Sequence, residues 1–330
     1  MDLIPLTRAL IDIESVTGNE RAVSEFLFEY LSRLGTVERM PVEGDRFNLF
    51  ASWGRPEVVL STHIDTVPPF FPSSEDGEHV HGRGACDTKG ILASMIKAIE
   101  TLLSQGASGF GLLLVVGEET DSIGAQVANR NPRGSRFLIN GEPTENRLAL
   151  GSKGALYLRI EASGRMAHSA YPELGESAID RLLEALARLR SVPLPSDPIL
   201  GETTLNVGTI SGGRASNVIA DQARAEALIR TVGDTAELRR AIHSALADVE
   251  IAEERETRAM RLGSLPGFET TAVKYTTDIP RLGAWGEPFL LGPGSIHLAH
   301  TPGERVPKRE LEEAVRLYAG MVRRLLESGP

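Results

Sequence analysis

Cysteine is nearly absent from this sequence, because Cys86 is the only one among 330 residues. A single cysteine excludes an internal disulfide and a zinc site made of thiolates. If the protein binds a metal ion, histidine, aspartate and glutamate side chains must therefore hold it.

Long apolar runs are also missing, since no stretch approaches the roughly 18 residues that a helix needs to span a bilayer. The first five residues, Met1-Asp2-Leu3-Ile4-Pro5, lack the basic start and apolar core of a signal peptide. We therefore expect a cytoplasmic protein that does not bind a membrane.

Basic residues are too few for a nucleic-acid-binding surface to be expected. Lys and Arg number 35 against 45 Asp and Glu, which gives a formal net charge of −10. Nucleic-acid binding needs a basic face that displaces counterions, so this balance argues against it. The remaining composition, with 41% hydrophobic and 24% charged residues, is that of an ordinary folded protein long enough for two domains.

The first half of the chain alternates between strand-like and helical patterns. Apolar runs at 58–62, 110–116 and 136–140 predict buried strands, and apolar residues at helical spacing predict helices at 20–34 and 88–103. This alternation predicts an α/β fold with a mostly parallel central sheet flanked by helices.

The pattern changes near Gly151. The elements predicted after it are, in chain order, a strand at 155–162, a helix at 178–189, strands at 203–210 and 223–231, and a helix at 236–249. This order is typical of a small α+β domain of ferredoxin-like type, inserted into the first domain. We therefore assign residues 1–151 and 265–330 to a catalytic metal-binding domain and residues 152–264 to the inserted domain.

Polar side chains follow the predicted strands, at the sheet edge where ligands bind in such folds. His63 can bind a metal through one ring nitrogen while Asp65 accepts a hydrogen bond from the other, but a buried structural histidine explains this pair equally well. Glu118 and Glu119 would repel each other after a buried strand, which a metal centre resolves; a solvated acidic turn is the alternative. Glu142 repeats the pattern after the third strand.

Two further candidates lie outside these strand ends. Asp87 lies in the glycine-rich stretch Gly82-Arg83-Gly84-Ala85-Cys86-Asp87-Thr88-Lys89-Gly90, directly before a predicted helix. Taken alone, Asp87 is best explained as a helix N-cap, whereas as a metal ligand it would bridge two ions. Near the C-terminus, His300 follows Gly292-Pro293-Gly294 and can supply a second imidazole.

In this order, the motifs resemble the di-zinc peptidase and deacylase family that includes acetylornithine deacetylase, succinyl-diaminopimelate desuccinylase and carboxypeptidase G. The motifs that carry the resemblance are His63-x-Asp65-Thr66-Val67-Pro68, Gly82-Arg83-Gly84-x-x-Asp87-x-Lys89-Gly90 and Glu118-Glu119. The resemblance covers essentially the whole chain, including the inserted domain, which is then expected to act as a lid and to form a homodimer.

The resemblance implies two divalent metal ions per chain, expected to be zinc, which cobalt can replace. One ion would be held by His63, Asp87 and Glu142, and the other by Asp87, Glu119 and His300. The metals would lower the pKa of a bound water molecule and polarise the scissile carbonyl.

The resemblance also implies catalytic roles for three further side chains. Asp65 would orient His63, and Glu118 would be the general base that later passes the proton to the leaving amine. His168, in the inserted domain, would stabilise the oxyanion from the partner subunit of a dimer. This chain has Ala167 before that histidine, where the family often has glycine.

The expected substrate follows from the same resemblance. Asn217, Arg230 and Gly294 match the positions that bind it, with Arg230 gripping its carboxylate. The prediction is a di-zinc amidohydrolase of amino-acid biosynthesis that removes a small acyl group from an N-acyl amino acid, closest to acetylornithine or acetyl-lysine deacetylase. The alternatives are a succinyl-diaminopimelate desuccinylase, a hydrolase that releases lysine or ornithine from a carrier protein, and a carboxypeptidase or dipeptidase with the same centre. A non-catalytic binding protein is disfavoured because every expected position is filled.

Overall fold

The structure is a computed structural model, which describes residues 1–328. The chain forms two compact units. The first unit contains Met1–Leu150, Leu262–Thr271 and the residues from Thr277 onward, and the inserted unit contains Gly151–Arg261 and Ala272–Thr276. Among the described residues, no helix is long and apolar enough to cross a membrane.

The described residues form seven α-helices and eighteen strands. The helices are α1 (Leu3–Asp12), α2 (Arg21–Leu31), α3 (Lys89–Ser104), α4 (Ile123–Asn129), α5 (Ala178–Arg190), α6 (Ala236–Ala245) and α7 (Lys308–Glu327). The strands are β1 (Thr36–Glu43), β2 (Arg46–Trp53), β3 (Val58–His63), β4 (Ser74–Glu75), β5 (His79–His81), β6 (Phe110–Val115), β7 (Phe137–Asn140), β8 (Leu148–Ser152), β9 (Gly154–Ser163), β10 (Ser196–Asp197), β11 (Gly201–Glu202), β12 (Thr204–Gly212), β13 (Gln222–Thr231), β14 (Glu250–Thr257), β15 (Met260–Arg261), β16 (Thr270–Val273), β17 (Glu287–Leu290) and β18 (Arg305–Pro307).

The first unit is built on a six-stranded sheet in the order β1-β2-β6-β3-β7-β17. Strands β6, β3, β7 and β17 run parallel, and β1 and β2 add an antiparallel edge. Every residue of β3 and β6 is buried because both faces of the sheet are covered. The carboxyl ends of the parallel strands therefore meet at one edge, where a ligand can bind.

Successive residues of the central strands pack into two different cores. Val58 and Leu60 join α1, α2, α3 and α7 on one face of the sheet. Val59 points to the other face, where α4 and the buried Trp285 cover it. Because both cores are closely packed, the directions of the side chains at the carboxyl ends of these strands are fixed.

The inserted unit has a four-stranded antiparallel sheet in the order β12-β13-β9-β14. Its chain order, β9-α5-β12-β13-α6-β14, is β-α-β-β-α-β, the ferredoxin-like arrangement. Buried and half-buried residues alternate along β9, and its inward face packs with α5 and α6. The predicted fold class, an α/β domain with an inserted α+β domain, is confirmed.

Candidate metal centre

Five of the predicted side chains lie at the carboxyl edge of the central sheet. His63 is the last residue of β3, Glu118 and Glu119 follow β6, and Glu142 follows β7. Asp87 precedes α3 and reaches the same edge. The crossover connections of a parallel sheet place these loops together, although they lie far apart in sequence.

Asp87 lies between two histidines. Its Oδ1 atom is 3.1 Å from His63 Nε2, and its Oδ2 atom is 3.3 Å from His300 Nε2. His300 Nε2 is also 3.0 Å from Glu119 Oε2, and His63 Nε2 is 3.9 Å from Glu142 Oε1. The structure therefore brings together all five residues expected to be metal ligands, with Asp87 facing both groups.

Asp65 joins the end of β3 to the loop that carries the glutamate pair. His63 Nδ1 is 3.0 Å from the Asp65 carbonyl oxygen and 3.5 Å from its carboxylate Oδ1. The carboxylate accepts hydrogen bonds from Thr17 Oγ1 and from the backbone N–H groups of Glu118 and Glu119. Burial alone would raise the pKa of Asp65, but its hydrogen bonds, led by that from His63, hold this pKa below its ordinary value.

The acidic side chains of the centre crowd one another. Burial raises the pKa of Glu118 and of Glu142 well above the ordinary value, although His63 opposes this shift, and burial also raises the pKa of Glu119. Asp87 behaves differently: burial would raise its pKa, but hydrogen bonds from His300 and His63 lower it. Such a set of carboxylates needs positive charge nearby to stay ionised together.

The donor set fits a divalent cation. Ligand atoms of His63, Asp87 and Glu119 all lie within 4.8 Å of one another, and Glu142 Oε1 is buried with no hydrogen-bond partner. Hydrogen bonds to Asp87 and Glu119 raise the pKa of His300 to about 10, so this histidine would carry the missing positive charge without a metal. Imidazole and carboxylate ligands without thiolate fit several divalent metals, zinc among them.

Asp278 is a buried acidic residue of the centre that no sequence motif indicated. Its Oδ1 atom is buried and has no hydrogen-bond partner, and burial raises its pKa to about 6. Its negative charge contributes to the raised pKa values of Glu118 and Glu142. The only local signal was Thr277-Asp278-Ile279-Pro280, which is equally typical of a turn.

The inserted unit brings two of its predicted residues close together. The loop containing His168 forms an isolated β-bridge with Val218, and the Ser169 N–H donates to the Asn217 carbonyl. His168 Nδ1 accepts a hydrogen bond from the Ala170 N–H, so the imidazole is held locally.

Arg230 and Gly294 differ in whether their polar groups already have partners within the protein. Arg230 lies half-buried on β13, and burial lowers its pKa. Within residues 1–328, its guanidinium has no ion pair. Gly294 has φ +89° and its N–H donates to Glu310 Oε2, so this N–H is not free for a substrate in the present arrangement.

Comparison with known proteins identifies the class. Residues 59–324 match the model of peptidase family M20/M25/M40, and the chain belongs to this family. It is 42% identical to a peptidase M20 domain-containing protein of Schizosaccharomyces pombe, over 97% of this chain and 84% of that protein. It is 39% identical to a probable carboxypeptidase of Aspergillus fumigatus, over 98% of this chain and 87% of that protein.

Solved structures share the fold over 98% of this chain. A tripeptidase from Staphylococcus aureus superposes with a TM-score of 0.81 at 22% identity, covering 98% of each chain. The M20 family metallo-carboxypeptidase of Sulfolobus solfataricus has a TM-score of 0.77 at 15% identity, covering 98% of this chain and 99% of that one. The predicted membership of a metallopeptidase family is confirmed, and the narrower grouping with acetylornithine deacetylase stays a prediction.

Proposed function

We propose that this protein is a metal-dependent hydrolase that cleaves an amide bond whose nitrogen belongs to an amino acid with a free α-carboxylate. The convergence of His63, Asp87, Glu119, Glu142 and His300 at the sheet edge carries this proposal. These five residues would hold two divalent ions, zinc or cobalt, with Asp87 shared. When bound, such ions lower the pKa of a water molecule and polarise a carbonyl group.

Glu118 is the residue proposed to move the proton. The backbone N–H of Glu118 donates a hydrogen bond to the Asp65 carboxylate at 3.1 Å. The Glu118 carboxylate itself has no hydrogen-bond partner among the described residues. The carboxylate can therefore accept a proton from the attacking water and deliver it to the amine nitrogen as the C–N bond breaks. Adjacent Glu119 differs, because its carboxylate contacts His300.

Arg230 is proposed to bind the free carboxylate of the substrate. A half-buried guanidinium is unfavourable without an anionic partner, and the described residues supply none. Its planar donors match a carboxylate in bidentate geometry. His168 and Asn217, held together in the inserted unit, are proposed to bind the reacting carbonyl and the rest of the substrate.

The narrower proposal is a carboxypeptidase or dipeptidase. The fungal relatives at 39% identity are named probable carboxypeptidases, which supports peptide substrates. The N-acyl amino acids expected from the motifs, acetylornithine and acetyl-lysine, are the second candidate because they present the same amide beside the same carboxylate. N-succinyl-diaminopimelate and carrier-linked lysine or ornithine are longer members of this second group.

One substrate panel tests the proposal. Zinc-loaded and cobalt-loaded enzyme would be assayed with dipeptides, tripeptides, acetylornithine, acetyl-lysine and succinyl-diaminopimelate, each beside an analogue whose carboxylate is amidated. We expect hydrolysis of at least one free carboxylate substrate and little hydrolysis of its amide, with peptides preferred. Preference for acetylornithine would select the deacylase, and hydrolysis that ignores the carboxylate would contradict the substrate class.

A further inference from the structure

Glu304 is a buried carboxylate that connects the two loops carrying Asp87 and His300. It lies four residues after His300, and it is only 1% exposed. Its Oε1 atom accepts backbone hydrogen bonds from Gly84 at 2.9 Å, from Cys86 at 3.3 Å and from Asp87 at 3.3 Å. One carboxylate oxygen therefore holds three N–H groups of the loop that ends in Asp87.

Arg83 holds Glu304 from the other side. Arg83 Nη1 is 2.5 Å from Glu304 Oε2, and Arg83 Nε donates to the Pro69 carbonyl at 3.2 Å. Both side chains of this ion pair are almost fully buried. A buried ion pair adds little net stability compared with apolar side chains of the same size. Its position beside the proposed metal ligands therefore indicates a role in orienting them.

The backbone geometry of the two loops allows Glu304 to contact the Asp87 loop. Strands β5 and β18 pair antiparallel, with Arg305 opposite His81, so the Asp87 loop leaves one strand and the His300 loop leads into its neighbour. Gly84 has φ +87°, and a Cβ atom there would lie 3.0 Å from Thr66 and Lys89 side-chain atoms. Only glycine turns the loop this way without strain, and converging N–H groups of this kind bind an anion well.

We propose that Glu304, held by Arg83, is a positioning residue that fixes Asp87 relative to His300 and thereby sets the affinity of the centre for divalent ions. The proposal rests on the metal centre of the proposed function. Asp87 faces His63 with one oxygen and His300 with the other, so a small rotation of its loop would move it away from both. Outer groups that orient metal ligands commonly change metal affinity about 10- to 100-fold when removed.

A purely structural role for Glu304 predicts a different result. In that case its loss would lower thermal stability, and metal affinity would change no more than in any variant that is equally destabilised. Leu27→Ala supplies the matched control, because Leu27 is fully buried in α2 within the core of the same unit. That substitution leaves a cavity and destabilises the fold without touching either loop.

The experiment measures cobalt binding to the full-length protein after removal of metal with a chelator. Wild type, Glu304→Gln and Leu27→Ala would be titrated with Co²⁺ by calorimetry and by visible absorption, with thermal unfolding of each metal-free protein recorded alongside. We expect Glu304→Gln to bind Co²⁺ about 10- to 100-fold more weakly with an altered absorption band, and Leu27→Ala to bind within about twofold of wild type.

Wild-type affinity in folded Glu304→Gln would overturn the proposal, as would equal losses of affinity in both variants. If Glu304→Gln does not fold, Glu304→Asp decides the matter, because it keeps the charge but shortens the reach. We then expect about 10-fold weaker binding, and unchanged binding would overturn the proposal. A wild type that binds Co²⁺ but hydrolyses no substrate would contradict the proposed function and leave this proposal standing.

Discussion

Glu118 and Glu119 show how two identical neighbours can lie in different surroundings. The Glu119 carboxylate lies 3.0 Å from His300, and one of its oxygens lies within 4.8 Å of candidate ligand atoms of Asp87 and His63. The Glu118 carboxylate has no hydrogen-bond partner among the described residues. In the turn after β6, the Asp65 carboxylate accepts hydrogen bonds from both backbone N–H groups, and the two side chains leave this turn towards different surroundings.

Replacing Glu118 by glutamine should separate catalysis from metal binding. The amide has nearly the same shape but cannot take up a proton, so we expect turnover to fall about 10²- to 10⁴-fold while metal content stays at the wild-type level. Glu119→Gln is the matched control and should lower metal content. Metal analysis and steady-state kinetics on the same samples would check this, and near-normal turnover in Glu118→Gln would refute the base assignment.

Arg230 offers a test of substrate recognition at a single residue. Arg230→Met removes the guanidinium while keeping an apolar stem, so we expect kcat/KM for free carboxylate substrates to fall by about 10- to 100-fold, in line with the loss of a charge-assisted hydrogen bond. The amidated analogues should be affected little. A similar loss of kcat/KM for both kinds of substrate would show that Arg230 does not bind the carboxylate.

At the scale of elements, the buried parallel strands and long helices could be predicted from the sequence. The strand predicted at 58–62 is observed as Val58–His63, and the helix predicted at 88–103 as Lys89–Ser104. The edge elements could not. β14 is the polar segment Glu250–Thr257, which becomes a strand only because β9 offers an edge for pairing, and the helix predicted to reach residue 249 ends at Ala245.

The residues of the candidate site could likewise be predicted only in part. Residues in compact motifs, such as His63 and Asp87, could be found because their neighbours in sequence also surround them in space. Asp278 and Glu304 could not be assigned roles, because their partners lie far away in sequence and only the fold brings them together. A lone acidic residue in a turn carries no periodic signal from which burial can be predicted.

The C-terminal helix α7 allows a prediction about stability. The Tyr318 hydroxyl is buried and donates to the Leu291 carbonyl at 2.7 Å. Tyr318→Phe leaves that carbonyl unpaired, so we expect the free energy of unfolding to fall by about 1 to 3 kcal/mol. Tyr30→Phe, which removes a hydrogen bond to the part-exposed Glu100, should have a smaller effect because water can replace the hydroxyl. Urea denaturation would measure both, and equal effects would contradict the explanation.

At the scale of the whole molecule, exposed apolar side chains are concentrated in the inserted unit. Apart from Met1, the large hydrophobic residues that are exposed within residues 1–328 all belong to it: Met166, Tyr171, Leu174, Leu183, Leu194, Ile199 and Ile210. Strand β12 is also an unpaired sheet edge. Such edges and apolar surfaces are usually covered, so we predict a homodimer formed through the inserted unit.

Mixing two inactive variants tests whether His168 acts across that dimer. His168→Ala should lower turnover by about 10²- to 10³-fold, with metal content unchanged, if it stabilises the oxyanion. After subunit exchange with Glu118→Gln, a mixed dimer would contain one site with both defects and one with neither, so activity should partly return. No recovery despite proven exchange would exclude action from the partner subunit, and a monomer in sedimentation would contradict the dimer.

We propose that this chain works through divalent ions held by His63, Asp87, Glu119, Glu142 and His300. The most direct measurement is the metal content of the purified protein, taken together with its hydrolytic activity before and after exhaustive chelation. We predict up to two ions per chain, loss of activity as they are removed, and recovery on adding zinc or cobalt. Full activity in protein shown to be free of metal would contradict the claim.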